Sequence, residues 1–218
     1  MKLSECNFRE LYRQCVIING KRAFDTAPKM LEDYSYKLPA KVDSVLCYCY
    51  IDAQAGMSFD FLCLAYFDNG EPDFKSYEKL LAEKIRLFYR YGAVQDDNTK
   101  FFSQDVSIFN KRCTMIDEGY HRDEKVLPTR NIKAIDHLRY IQNPDDISVL
   151  LRKDGLQVEQ VWIRLSGIEN GNLSGVLLNE PNSDFGVHMN DLVHVQVTTK
   201  GNDVYALCLL PNEKQGRI

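Results

Sequence analysis

No run among the 218 residues approaches the roughly 20 consecutive apolar positions that a membrane-spanning helix needs. The first twenty residues, MKLSECNFRELYRQCVIING, also lack the apolar core of a secretion signal, so we expect a cytoplasmic protein with no membrane partner. A basic excess is missing too. The formal net charge is −4, which speaks against a nucleic-acid partner, because such proteins present a positive face to phosphate. The cysteine count is odd, at seven, and the positions (6, 15, 47, 49, 63, 113 and 208) fall mostly within apolar runs. That pattern excludes a disulfide framework and reads as reduced, buried thiols. Phosphate loops, dinucleotide fingerprints, nucleophile elbows and HExxH are all absent, as are repeats and heptads. Tryptophan occurs once.

What is present centres on residues 158–181, VEQVWIRLSGIENGNLSGVLLNEP. Val161, Ile163 and Leu165 alternate with Gln160, Trp162 and Arg164, the period of a strand with one packed face. Asn170-Gly171 tolerates positive φ at both central turn positions, as a two-residue hairpin requires. Gly175 in the second run marks a place where a neighbouring backbone or ring comes close.

Upstream, Ser4 to Val16 is expected to form a first helix ended by Asn19-Gly20, and Pro28 to Tyr34 a second. Val45 to Ile51 and Met57 to Phe67 read as a hairpin around DAQAG, apolar on both faces and therefore inside a sheet covered by helices. Phe74 to Tyr91 carries the strongest helical stripe, and Asp96-Asp97-Asn98 opens another candidate helix, with strand the competing reading for part of it. The polar stretch 117–128 suggests a boundary between a unit at 1–125 and one at 126–218. Beyond it we expect helices at Ile132 to Ile141 and from Asn143-Pro144-Asp145-Asp146 to Arg152, then the central hairpin and strands at Val193 to Val197 and Val204 to Leu210. The expected fold class is α+β: N-terminal helices packed on an antiparallel hairpin or sheet, and C-terminal helices followed by a small antiparallel sheet.

Candidate chemistry is sparse. His121 stands among Asp117, Glu118, Asp123 and Glu124, but no second histidine sits at ligand spacing, so a solvated linker is favoured. Cys47 and Cys49 point the same way on a strand, which suits packing better than zinc or redox work. His188, Asp191 and His194, with Ser183 nearby, lie in and after the 182–194 loop, and a cleft there would be needed for an enzyme or ligand site. Trp162 and Arg164 share a strand face. Exposed, they are the residue types of a binding hot spot; covered by a helix, Trp162 is core.

Residues 159–195 resemble a family of small uncharacterised bacterial domains of unknown function, through Val161-Trp162-Ile163, Asn170-Gly171, Gly175 to Pro181 and Gly186 to Asp191. Asn190 stands where that pattern has glycine. The resemblance implies a compact β-rich unit after helices. It also implies a binding role of the kind an immunity protein plays against a bacterial toxin, and carries over no catalytic residue. We therefore expect a non-enzymatic protein-binding module without cofactor or metal. Its candidate binding residues are Trp162, Arg164, Asn179, His188 and Asp191, and its partner is a protein such as a toxin. The alternatives are an enzyme or ligand binder using the 182–194 loop, and an apolar patch that forms a homodimer seam.

Overall fold

In the computed structural model the backbone folds as two units, Met1–His121 and Arg122–Ile218, and residues 1–120, 124–201 and 203–210 are described below. Both are built mainly of antiparallel strands. The first holds a curled sheet and the second a closed five-stranded barrel, which overturns the α+β expectation of helices packed on a hairpin and helices preceding a small sheet.

The first unit begins with a one-turn helix, α1 (Phe8–Leu11), capped by Asn7, whose side chain accepts from the Arg9 and Glu10 N–H groups at 2.9 and 3.0 Å. Arg13 then takes a positive φ of 61° and ends any helical continuation. The β-branched run that follows becomes strand β1 (Cys15–Asn19), where a longer first helix had been expected. Helix α2 (Lys21–Asp33) runs through Pro28, so the second helix begins a full seven residues before that proline. Strands β2 (Ser44–Asp52) and β3 (Gly56–Tyr66) form the expected hairpin and are buried along nearly their whole length. After β4 (Glu71–Pro72), helix α3 (Phe74–Ala82) stops about two and a half turns short of the expected end at Tyr91. Lys84 sits at a φ of 55°, while the N–H groups of Lys84 and Ile85 bond the carbonyls of Leu81 and Leu80. This two-bond helix stop normally uses glycine, and lysine in that place hides it from a sequence reading. Ser35 ends α2 in the same way.

Phe88, expected on a helix, lies instead in strand β5 (Phe88–Arg90), which leads into α4 (Tyr91–Val94). Asp97 caps no helix of its own: strand β6 (Asn98–Phe101) follows, and the Asp97 carboxylate lies against Gly20 at the start of α2, bonded to the Ala23 N–H. Helix α5 (Asn110–Tyr120) closes the unit. Strand order is β4-β3-β2-β1-β6, with β5 on the same edge of β3 as β4. Tyr77 of α3, Phe109 just before α5 and Ile116 within it share one core with Leu46, Tyr48, Tyr50 and Leu62. Within that unit Arg112 Nε and Nη2 donate to Asp60 Oδ1 at 3.0 and 2.7 Å, both side chains buried.

The second unit opens with two short 3-10 segments, Leu127–Asn131 and Lys133–Leu138, the latter standing where a helix from Ile132 to Ile141 had been expected. Six strands follow: β7 (Arg139–Tyr140), β8 (Asn143–Leu151), β9 (Glu159–Glu169), β10 (Asn172–Leu177), β11 (Leu192–Lys200) and β12 (Asp203–Leu209). Asn143 to Leu151 is thus a strand and not a helix. Asp145 and Asp146, which look like the acidic first turn of a helix, point to opposite sides of it and find different arginines. Arg130 Nε and Nη2 donate to the two Asp145 oxygens at 2.9 and 2.8 Å, both residues buried. Beside them Arg139 donates to the Pro144 and Thr129 carbonyls, each at 2.6 Å, so two buried guanidiniums fasten the 3-10 segments to the start of β8.

From β8 to β12 each strand pairs antiparallel with the next, and β12 returns to pair with β8 in parallel. An odd number of alternating strands can close no other way. Inward residues Ile147, Val149, Val161, Ile163, Leu165, Leu173, Val193, Val195 and Ala206 fill the interior, one side of every strand. Asn170 and Gly171 hold φ values of 51° and 81° in the expected two-residue turn. Gly175 sits at a bulge in β10, where an added Cβ would lie 2.7 Å from the Arg164 carbonyl oxygen.

Two stability outcomes follow from this packing. Gly175→Ala forces backbone against backbone and is expected to cost about 1–3 kcal/mol in urea unfolding of the chain. Arg130→Ala leaves the buried Asp145 carboxylate without its guanidinium and is expected to cost more, about 3–5 kcal/mol in the same measurement.

Candidate functional site

Strand β9 sets the site by alternation. Val161, Ile163 and Leu165 face the barrel interior, so Gln160, Trp162 and Arg164 face outward. Register then fixes their neighbours: Arg164 lies opposite Asp146 and Trp162 opposite Ser148. Arg164 Nε and Nη2 donate to the two Asp146 oxygens at 2.7 and 2.8 Å, a forked pair. These bonds with Asp146 raise the Arg164 pKa further above its ordinary value. Gln160 Nε2 donates to Ser148 Oγ at 2.6 Å on the same face.

Where β10 ends at Leu177, the ladder along β9 is carried on by other groups. The Leu178 N–H donates to the Trp162 carbonyl at 2.8 Å, and Asn179 Oδ1 accepts the Trp162 N–H at 2.8 Å. A carboxamide thus completes the backbone pairing of Trp162 and holds it in register. Its indole is not covered by a helix. Trp162 is 36% exposed and Tyr140 45% exposed, and their rings meet edge to face with centroids 5.9 Å apart and planes at 64°. Together with Asn143, Asp146, Leu178 and Asn179 they line a groove of about 360 Å³.

Of the five residues singled out in the sequence, Trp162 and Asn179 line this groove and Arg164 holds one of its walls through Asp146. His188 and Asp191 do not line it. They belong to a turn in which Asp191 Oδ2 accepts the His188 N–H at 2.8 Å and Asn190 takes a φ of 77°. The His188 ring points to solvent and donates from Nδ1 to Glu180 Oε1 at 2.7 Å, its side chain 68% exposed. The segment between them and Asn182 supplies Phe185 and Val187 to the barrel core. Ser183 bonds Glu159 across the start of β9. No hydroxyl, imidazole and carboxylate converge there.

Tyr140, Asn143 and Asp146 escaped the sequence reading. Asp146 looked like a helix-opening carboxylate, and nothing local announces that a two-residue strand would bring Tyr140 beside Trp162. Elsewhere, Cys47 and Cys49 are fully buried and burial pushes both thiols well up, in keeping with packing. Among the described residues no group of three or more His, Cys, Asp or Glu side chains is placed to hold a metal ion, and no helix is long and apolar enough to cross a membrane. The His121 cluster lies outside the described residues.

No protein-family model, no curated protein and no solved structure matches the chain.

The His188–Glu180 contact makes a pH prediction. The hydrogen bond His188 donates to the Glu180 carboxylate raises the His188 pKa above its ordinary 6.5, and the same bond lowers that of Glu180 below 4.5. The histidine's contribution to the turn is therefore complete below about pH 6.5 and lost as pH rises through its raised folded value. The glutamate's is complete above about pH 4.5 and lost as pH falls through its lowered one. In an NMR titration the His188 midpoint is expected above 6.5, moving down in Glu180→Gln. An unmoved midpoint would show that the contact does not form in solution.

Proposed function

We propose that the chain is a non-enzymatic polypeptide-binding module whose contact surface is the outward face of β8, β9 and β10 around Trp162. The observation that carries this reading is the exposed edge-to-face pair of Trp162 and Tyr140, lining a groove whose charged wall is already internally paired. Tryptophan and tyrosine are the side chains that anchor protein interfaces, because each offers a large apolar face at little entropic cost. Burying that much aromatic surface leaves room for a partner to gain roughly 2 kcal/mol or more at one residue. The polar groups in reach are arranged to hold a shape, not to move protons. All seven cysteines are free thiols, six of them buried, which fits a reducing compartment such as the cytoplasm.

The test is a photo-crosslinking side chain placed at Asn143, in the groove, and as control at Lys200, at the end of β11. In cells of origin, position 143 is expected to yield a discrete protein adduct that position 200 does not. Trp162→Ala should reduce that adduct at least about thirtyfold, the equivalent of roughly 2 kcal/mol, while the circular dichroism spectrum stays unchanged. An adduct indifferent to Trp162→Ala, or none at all, would discard the surface.

A further inference from the structure

Asparagine followed by glycine is the dipeptide most prone to cyclise, because glycine has no side chain to hinder its own nitrogen as it approaches the asparagine carboxamide. Three such pairs occur in the chain: Asn19-Gly20, Asn69-Gly70 and Asn170-Gly171. The reaction needs a carboxamide free to swing, a glycine N–H free to lose its proton, and access for water. The fold grants these unequally. Asn19 is half-buried at the end of β1, opposite Asn98 of β6. Its Nδ2 donates to the Asp43 carbonyl at 2.9 Å and to Ser44 Oγ at 3.1 Å, while the Asp97 carboxylate lies against Gly20. Asn69 is exposed, yet both ends of its carboxamide are held: Oδ1 accepts the Glu71 N–H at 3.1 Å and Nδ2 donates to Glu71 Oε2 at 3.0 Å. The Gly70 N–H is held too, donating to the Tyr66 carbonyl at 3.0 Å. Asn170 differs on every count. It is exposed at the tip of the β9–β10 hairpin, and among the described residues nothing bonds its carboxamide. In a two-residue turn the bonds close between the flanking residues, here Glu169 and Asn172, so the Gly171 N–H donates to no backbone carbonyl.

We infer that Asn170 is a modification site: of three Asn-Gly pairs, the fold closes two and leaves this one open to deamidation through a succinimide. The Gly171 nitrogen loses its proton to solvent and bonds to Asn170 Cγ. The Cγ–Nδ2 bond breaks, and Nδ2 takes up a proton and leaves as ammonia. Water then opens the ring at either carbonyl, giving aspartate or isoaspartate, and no group is oxidised or reduced. The two products act differently on the hairpin. Asp-Gly suits the same turn as Asn-Gly, so aspartate keeps it. Isoaspartate routes the main chain through Cβ, which lengthens a turn whose residue count sets the register of β9 against β10. The site stands eight positions from Trp162, about 26 Å along an extended strand, so it is independent of the binding surface proposed above.

The test is to age the full chain in mildly alkaline buffer and locate the products by peptide mapping, with isoaspartate confirmed by an isoaspartate-specific carboxyl methyltransferase. In the folded chain, aspartate and isoaspartate are expected to accumulate at position 170 at least about tenfold faster than at 19 or 69, since those two react only through local opening. In denaturing urea the three rates should converge to within about threefold, because the protection at 19 and 69 is tertiary. Asn170→Asp should unfold at the same urea concentration as the parent, and the purified isoaspartate form at a lower one. Three results would each overturn the site: no product at 170, comparable rates at 19 or 69 in the folded chain, or an undiminished preference for 170 in urea. An isoaspartate form as resistant to urea as Asn170→Asp would overturn its effect on the turn.

Discussion

Closure of the barrel through the parallel pairing of β12 with β8 is the constraint on which the second unit depends. Once five strands alternate and the fifth must meet the first, every strand has a fixed inside and outside, and each outward side chain has assigned cross-strand neighbours. Trp162 faces out because Val161 and Ile163 must face in. Arg164 meets Asp146 because the register that buries Ile163 against Ile147 leaves no other choice. A slip of one residue would turn Trp162 inward and the aliphatic row to solvent.

The start of β8 is held by charge buried away from water. Arg130 with Asp145, and Arg139 with the Pro144 and Thr129 carbonyls, tie the 3-10 segments to that end of the strand. Such pairs add little net energy compared with apolar packing, but they penalise every arrangement that separates them. The 182–194 loop works at the same level, sending Phe185 and Val187 into the core and spending Asp191 and Asn190 on its own turn. On the outer face two exposed rings, Trp162 and Tyr140, line a groove whose charged wall is already paired.

How much was legible in the chain differs by element, for reasons that can be stated. The β2–β3 and β9–β10 hairpins were readable because their apolar alternation and turn residues are local signals, and the close approach at Gly175 lies where the glycine suggested it. The helices misled. Lys84 and Ser35 end α3 and α2 in positions where glycine is the usual marker, and the first-helix pattern dissolved at Arg13. Asp145-Asp146 after Asn143-Pro144 imitates a helix start so well that only their distant arginines reveal a strand. Trp162 was identified, with its exposure open between two readings; Tyr140 and Asn143 were not, since no local pattern links them to it.

The amino-acid sequence alone determined the things that depend on neighbours a few positions apart: strand alternation on both sides of Asn170-Gly171, the buried hairpin around residues 52–56, the mostly buried setting of the cysteines, and which side chains share a face with Trp162. Tertiary structure decided the rest: that the second half closes into a barrel, that Asp146 is spent on Arg164, that Asn179 completes a ladder, and that His188 and Asp191 lie apart from the groove. The physical reason is range. Alternation and turn chemistry act within one strand or hairpin, whereas closure and ion pairing join residues 15 to 57 positions apart, as in Arg130–Asp145 and Leu150–Leu207, and only the folded chain brings those together.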